Sequence, residues 1–159
     1  MSVAGSMEIL SRQNIKNLPT LHNSRREEAS QLSKGGYVVV DSENPDVVMI
    51  ADGSEVSTLV EGAALLAADG IKVRIVSVPS EGLFRDQPES YVKSVLPAGT
   101  VRYGMTSGLP VNLQGLVGDG GYIHGLDHFG YSAPYKRLDE EFGYNGQTVY
   151  REVKELLGK

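Results

Sequence analysis

A strand–helix–strand pattern in the middle of the chain is the feature that most constrains the fold. A continuous apolar run at 47–51 is followed by apolar residues at helical spacing over 56–67, and then by a second strand-like segment at 71–78. A strand without polar alternation is typical of a parallel sheet covered on both faces, because both of its sides are then buried. Asp69 and Gly70 mark the end of the helix. The pattern predicts an α/β fold.

The other segments extend this pattern on both sides. Short β-branched or apolar stretches predict three more strands, at 37–40, 100–105 and 122–125. A short helix is predicted at 89–96, a weakly helical or irregular segment at 111–117, and a final helix after Asn145. We therefore expect an α/β three-layer sandwich, with a mainly parallel, mixed sheet of about five strands and helices on both faces.

Several residues are predicted to begin or end helices. Ser54 and Asn145 are predicted N-caps, because each side-chain oxygen can accept a hydrogen bond from a free amide of the first turn. Ser132 is predicted to cap a short helix that has Pro134 in its first turn and ends at Gly143.

The final helix is predicted to be amphipathic, with one apolar stripe and one solvated face. The predicted buried stripe consists of Val149, Val153, Leu156 and Leu157. The predicted solvent face consists of Arg151, Glu152, Lys154 and Glu155. This distribution predicts a helix that packs along one side of the sheet.

Size, charge and composition exclude several classes of function. A chain of 159 residues that is 40% hydrophobic can bury roughly 70% of its unfolded surface, which is enough for one core. The absence of cysteine excludes disulfides and thiolate zinc sites, and it agrees with a cytoplasmic location. A formal charge of -5 argues against a nucleic-acid partner. No apolar run is long enough for a membrane span, and no secretory signal is recognisable, so we expect no membrane partner.

The junction after the run at 47–51 is a candidate ligand site. Gly53 and Ser54 follow a predicted parallel strand and precede a helix, where open α/β sheets bind ligands and helix amides attract anions. The structural interpretation is that Gly53 permits a tight turn and Ser54 caps the helix. Asp52 and Glu55 would repel a phosphate, so we favour the structural interpretation, with a small-anion site at Gly53 and Ser54 as the alternative.

One compact cluster of potential metal ligands is present in the sequence, and it consists of His124, Asp127 and His128. Two histidines and a carboxylate can hold iron or zinc, but all three lie on one short stretch bounded by glycines. We therefore expect no metal site here, and instead a polar contact to a turn or to a partner domain. No Gly-x-Ser-x-Gly elbow is present, so hydrolase chemistry is not indicated.

Two strings in the sequence resemble the transketolase family. Phe-Gly-x-Ser-Ala-Pro at 129–134, ahead of Phe-Gly at 142–143, resembles the C-terminal domain of that family. Leu-Ser-Arg-Gln-Asn at 10–14, with Leu-Pro at 18–19, resembles the end of its pyrimidine-binding domain. The similarity follows the family order over nearly all of 11–157. Equivalent domains of a 2-oxo-acid dehydrogenase β chain or of deoxyxylulose-phosphate synthase are alternatives that the two strings disfavour.

Two positions depart from the family's pattern. Thr106 stands where the family usually has a glutamate, four residues after Arg102. The stretch 114–116 stands where an aromatic residue often precedes Val-Gly. Contacts that the family makes at these positions are therefore expected to differ in this chain.

The resemblance also implies a division of the chain. Residues 1–6 are expected to be a lead outside the fold, 7–34 the tail of a preceding domain and a linker, and 35–159 the C-terminal-like α/β domain. By resemblance, Arg12 holds the phosphate of a sugar substrate in the whole enzyme, a task that suits the planar fork of donors on a guanidinium.

For function, the resemblance implies a part of an enzyme that transfers ketol units between sugar phosphates in the pentose phosphate pathway. Thiamine diphosphate and a divalent cation, Mg²⁺ or Ca²⁺, then belong to the full enzyme, and this chain holds no cofactor, no metal and no catalytic residue. Its expected partners are the other domains of the same enzyme and a second subunit, and the isolated chain is expected to be inactive. A free-standing regulatory module that binds a small anion is the alternative.

Overall fold

The structure is a computed structural model that describes residues 15–18, 20–21 and 24–159. Its strands are β1 (Tyr37–Val40), β2 (Val47–Ala51), β3 (Val73–Ser77), β4 (Val101–Met105) and β5 (Tyr122–His124). Its α-helices are α1 (Arg25–Ala29), α2 (Glu55–Ala68), α3 (Glu81–Arg85), α4 (Glu89–Val95), α5 (Val111–Val117), α6 (Tyr135–Glu141) and α7 (Gly146–Leu156). In the described part of the chain, no helix is both long enough and apolar enough to cross a membrane.

The five strands form one mixed sheet in the order β1-β3-β2-β4-β5. β1 pairs antiparallel with β3, and the other three pairings are parallel. All five residues of β2 are buried, because this strand lies in the middle of the sheet with helices on each side. The predicted mixed, mainly parallel sheet is confirmed.

Side chains on the two faces of the sheet form two separate cores. Alternate residues of β2 point to opposite faces, so Met49 packs with α2 and α7, while Val48 and Ile50 pack with α3, α4 and α5. A fully buried aliphatic side chain stabilises the fold by about 1.5–3 kcal/mol, so each core contributes substantially. This arrangement is the predicted three-layer sandwich.

Helices α2 and α7 approach each other through two glycines. A Cβ atom at Gly62 would lie 2.5 Å from Cγ1 of Val149, and one at Gly146 would lie 2.9 Å from Cβ of Glu61. These separations are shorter than side-chain contacts allow, so both positions require glycine for the helices to pack at this distance. Gly146 is also the first residue of α7, so the close contact with α2 lies at the start of that helix.

One predicted cap, Ser132, is wrong, and another, Ser54, stands at the predicted position without the expected side-chain hydrogen bond. Ser54 is the N-cap residue of α2, as predicted, but it has helical backbone angles (φ -66°, ψ -32°), and its hydroxyl donates to Oε1 of Glu55 at 3.0 Å instead of accepting from an amide. Ser132 lies outside the cap position, because α6 begins only after Pro134, whose extended backbone is the actual N-cap. Asn145 is confirmed: its side chain accepts from the Thr148 amide at 2.9 Å.

The predicted linker over 7–34 contains two short helical turns in its described part. Ser24 and Glu27 form a reciprocal capping box at the start of α1, which satisfies two free amides. A 3₁₀ helix over Ser30–Lys34 follows and ends at Gly35, where φ is +82°. The Ser-x-x-Glu spacing at 24–27 is the local signal that explains this helix.

Candidate functional site

The predicted ligand junction opens onto a cleft at the carboxyl edge of the sheet. Gly53 follows β2 with φ at +56°, a conformation that glycine adopts without strain, and Ser54 leads directly into α2. The cleft has a volume of about 480 Å³ and lies between the start of α2, residues 15–16 and α6. Its polar lining includes Lys16, Ser54, Glu55, Glu61, Lys136, Asp139 and Glu140.

The electrostatics of this cleft oppose an anion. Burial raises the pKa values of Asp52 and Glu55, and the negative charges of Asp52 and Asp139 raise that of Glu55 further. The hydrogen bond from Ser54 to Glu55 acts in the other direction and uses the hydroxyl that a phosphate would need. Lys16 is paired with Glu61 at 3.1 Å. The carboxylates therefore support a structural role for Gly53 and Ser54, while the anion site stays a prediction.

A polar network lies beside this cleft and connects three elements. His124 at the end of β5 places Nδ1 3.1 Å from both carboxylate oxygens of Glu152 on α7. The hydroxyl of Tyr103, on β4, donates to Oε2 of the same carboxylate at 2.8 Å. The other ring nitrogen of His124 lies 2.9 Å from the carbonyl oxygen of Phe142, in the turn between α6 and α7. The network thus connects the sheet edge to α7.

Tyr144 completes this network on the side facing the cleft. Its ring packs edge-on against the His124 ring with centroids 5.0 Å apart, and its hydroxyl donates to the carbonyl oxygen of Thr106 at 2.9 Å. Burial, with a smaller contribution from the charge of Glu55, raises the pKa of Tyr144 to about 12. The hydroxyl therefore stays protonated and keeps donating at physiological pH.

The position of Glu152 corrects the prediction for the last helix. The amphipathic pattern placed Glu152 on the solvent face, but its side chain is only 12% exposed. It lies three residues after Val149 and four before Leu156, which places it beside the buried stripe. That spacing is the signal that could have identified it, because a carboxylate in this position needs hydrogen-bond donors from a neighbouring element.

The predicted cluster of His124, Asp127 and His128 does not converge. His124 turns toward Glu152, whereas His128 is exposed and packs its ring against Phe142 with centroids 5.4 Å apart. Across the described ranges, no group of three histidine, aspartate or glutamate side chains is arranged to hold a metal ion. The described contacts of His124 are structural contacts to α7 and to a neighbouring turn.

The sequence also led to predictions for three further positions. Arg12, the predicted phosphate ligand, lies outside the described residues. Thr106, in the place of a family glutamate, is buried, and its hydroxyl accepts from the Gly108 amide at 3.1 Å. A Cβ atom at Gly115 would overlap the guanidinium of Arg85, which pairs with Glu81 at 2.6 Å. Gly115, within the stretch 114–116 that is predicted to depart from the family pattern, thus leaves space for this ion pair.

These features define the class of protein as a three-layer α/β domain. The polar network around His124 and Glu152 connects the sheet to the last helix. The model of the Transketolase-like TK C-terminal domain matches residues 35–145. The chain belongs to the transketolase C-terminal domain family.

Individual relatives agree with this assignment. Transketolase 2 of Vibrio parahaemolyticus is 40% identical over 151 residues, which are 94% of this chain and 22% of that protein. The solved transketolase of Leishmania mexicana is 31% identical with a TM-score of 0.81, and the match covers 92% of this chain and 20% of that one. A transketolase variant from Pichia stipitis matches with a TM-score of 0.81 and 30% identity, over 92% of this chain and 20% of its own. The chain therefore spans about a fifth of the length of these relatives.

Proposed function

We propose that this chain acts as the C-terminal domain of a transketolase, with a structural role in an enzyme that transfers ketol units between sugar phosphates. The observation that carries this proposal is the family match over 35–145, together with 40% identity to transketolase 2 of Vibrio parahaemolyticus. In this role the domain packs against the cofactor-binding domains and supports the association of two subunits in the cytoplasm. The same identity favours transketolase over the equivalent domain of another thiamine enzyme.

Cofactor chemistry is assigned in this proposal to polypeptide outside the present chain. The full enzyme uses thiamine diphosphate and a divalent cation, Mg²⁺ or Ca²⁺. The described residues do not fit either group: no three potential ligands share a metal position within them, and the cleft beside Ser54 is lined by carboxylates that repel a diphosphate. Arg12 is proposed to hold a substrate phosphate in the whole enzyme, through the paired donors of its guanidinium.

A hybrid enzyme tests the proposal. The region of the Vibrio parahaemolyticus transketolase 2 that matches this chain is replaced by residues 7–159, and ketol transfer is measured with sugar phosphates, thiamine diphosphate and Mg²⁺. We expect the hybrid to be active, whereas the same enzyme shortened by the matched region is inactive. A folded hybrid that is no more active than the shortened enzyme would contradict the proposal.

The isolated chain provides the complementary measurement. With thiamine diphosphate, Mg²⁺ and sugar phosphates added, we expect no ketol transfer by the 159 residues alone, because this proposal assigns the cofactor ligands to other domains. Turnover above that of a heat-denatured sample would show that the chain carries catalytic residues. The two assays separate a domain that lacks chemistry from a domain that is unrelated to the enzyme.

A further inference from the structure

We propose that three exposed apolar side chains form a docking surface for the polypeptide that precedes this domain in transketolases. The apolar patch consists of Leu109, Val111 and Phe129, which are 55%, 69% and 100% exposed. Leu109 and Val111 follow β4 and Phe129 follows β5, so all three lie at the carboxyl edge of the sheet. The inference rests on the proposed function, because it names the surface through which this domain contacts the remainder of the enzyme.

The backbone beneath the apolar patch is held in place. The Leu126 amide donates to the carbonyl oxygen of Gly108 at 2.9 Å, which joins the loop after β5 to the loop after β4. A Cβ atom at Gly125 would lie 2.9 Å from Cγ of Pro110, so the two loops are also in close contact. The exposed side chains therefore project from a supported surface.

Neighbours of Phe129 in the sequence contact another aromatic ring, whereas no ring contact is seen for Phe129 in the described structure. The rings of His128 and Tyr131 contact Phe142 with centroid separations of 5.4 Å and 5.6 Å. Phe129, between them, shares a hollow of about 320 Å³ with Leu109, and its ring is fully exposed. Exposed apolar groups that cluster on a supported surface are typical of interaction sites, and aromatic residues contribute most strongly to binding there.

The observed chain path and the lengths of the relatives identify the occupant. About four-fifths of each matched relative lies outside the region that this chain covers. Ile15 and Lys16 line the cleft beside Tyr135, the first residue of α6, which directly follows the loop that carries Phe129. The described chain at residues 15–16 therefore lies at the carboxyl edge, on the same side as the apolar patch. The three side chains of the patch are apolar, and Asp127 and His128 line the same hollow, so the matching surface is expected to be mainly apolar with a polar margin.

Hydroxyl-radical footprinting of the hybrid enzyme tests this assignment, because the label reports the solvent exposure of individual side chains. The isolated 159-residue chain and the full-length hybrid are labelled under identical conditions, and the modification of Leu109 and Phe129 is quantified by mass spectrometry. We expect labelling of Phe129 to fall about fivefold or more in the hybrid, because the core of an interface excludes water. The assay is repeated over a range of concentrations of the isolated chain.

Paired variants of the hybrid supply the energetic readout. Leu109→Ser with Phe129→Ser is expected to lower the apparent melting temperature of the hybrid while leaving the isolated chain unchanged. The matched control is Leu32→Ser with Leu83→Ser, which replaces two other exposed leucines of the isolated chain. If the control destabilises the hybrid as much as the patch variant does, the assignment is overturned. The loss of stability would then follow from replacing any exposed leucine and would not be specific to the patch.

The outcomes separate this inference from the proposed function. An active hybrid in which Phe129 is labelled as strongly as in the isolated chain overturns the docking surface and leaves the proposed function intact. A folded, inactive hybrid overturns the proposed function, and the docking surface with it. Protection of Phe129 that grows with the concentration of the isolated chain identifies a second copy of the chain as the occupant, and thereby overturns the stated partner.

Discussion

His124 and Glu152 form a largely buried pair in which Nδ1 of the histidine lies 3.1 Å from both carboxylate oxygens. The opposite ring nitrogen lies 2.9 Å from the carbonyl oxygen of Phe142. A carboxylate and a carbonyl can only accept hydrogen bonds, so the ring satisfies both partners only when each nitrogen carries a proton. The geometry thus favours the charged imidazolium, held between α7 and the preceding turn.

This pair makes the stability of the domain depend on pH. Burial lowers the pKa of His124, but the hydrogen bond and the charge of Glu152 outweigh it, so the pKa lies above its ordinary value near 6.5. A raised folded-state pKa gives stability that is complete below about pH 6.5 and is lost as the pH rises through the folded value. We expect Glu152→Gln to lower the free energy of unfolding by about 1–3 kcal/mol near pH 6, and by less near pH 9.

Urea unfolding followed by circular dichroism at both pH values checks this expectation. Glu155→Gln is the matched control, because Glu155 lies on the same helix and is exposed. The control should change stability by less than about 0.5 kcal/mol at either pH. An effect of Glu152→Gln that is equal near pH 6 and near pH 9 would show that the charge of His124 is irrelevant.

Tyr103 stabilises the same carboxylate from the sheet. Its hydroxyl is buried and donates to Glu152 at 2.8 Å, and burial together with the charge of Glu152 raises its pKa well above the ordinary value of 10. Tyr103→Phe removes this donor and should destabilise the domain by about 1–3 kcal/mol in urea unfolding. Tyr122→Phe is the control, because that ring stacks on Tyr103 and is substantially exposed. Equal losses in the two variants would contradict the role of the buried donor.

Gly62 is required by the close approach of α2 and α7. Gly62→Ala places a methyl group 2.5 Å from Cγ1 of Val149, so the helices must separate or Val149 must move. We expect a loss of about 1–3 kcal/mol, measured as a lower urea midpoint. Gly82→Ala in α3 is the opposite case, because no atom beyond the local backbone of its own helix lies within 4 Å of the added group and alanine favours a helix. Its midpoint should rise, and a fall comparable to that of Gly62→Ala would rule out the steric explanation.

The two N-cap predictions can be separated by matched alanine variants. Asn145→Ala removes the side-chain oxygen that accepts a hydrogen bond from the Thr148 amide, and it should lower the free energy of unfolding by about 1 kcal/mol. Ser54→Ala removes no cap bond, because its hydroxyl donates to Glu55, and should change stability by less than about 0.5 kcal/mol. Thermal unfolding of both variants beside the parent chain provides the comparison. A larger loss for Ser54→Ala would mean that the Ser54 hydroxyl accepts a capping hydrogen bond in solution.

The alternative function as a small-anion module has a direct test. Because Glu55 and Asp139 surround Ser54, we expect inorganic phosphate to give no saturable rise in melting temperature beyond that of sodium chloride at equal ionic strength. Differential scanning fluorimetry of the parent chain and of Ser54→Ala measures this. A saturable rise that disappears in Ser54→Ala would establish anion binding at this junction.

Much of the fold follows from patterns confined to short stretches. The apolar run at 47–51 predicts a strand buried on both faces, and β2 is that strand because its neighbours and the two helix layers enclose it. The Asn145 cap and the left-handed turn at Gly143 are equally local, and both are confirmed. Ser54 occupies the predicted N-cap position, but its side chain makes no capping hydrogen bond, because that bond depends on backbone angles that the residue type does not specify.

The polar network could not be predicted in the same way. Glu152 and His124 are 28 positions apart, and Tyr103 is 49 positions from Glu152. Each residue alone has an ordinary local interpretation, a helix surface or a strand end. Their contact depends on α7 crossing the end of β5, which is a property of packing.

The sequence by itself determined the α/β class, the positions of the strands and the family, because residue periodicity, turn residues and characteristic strings are all written along the chain. The tertiary structure decided which distant groups meet, namely the His124–Glu152 pair and the contact of α2 with α7 at Gly62, and it decided that Phe129 is exposed beside Leu109. The physical reason is that desolvation and steric fit act between elements, so they depend on how helices stack on the sheet.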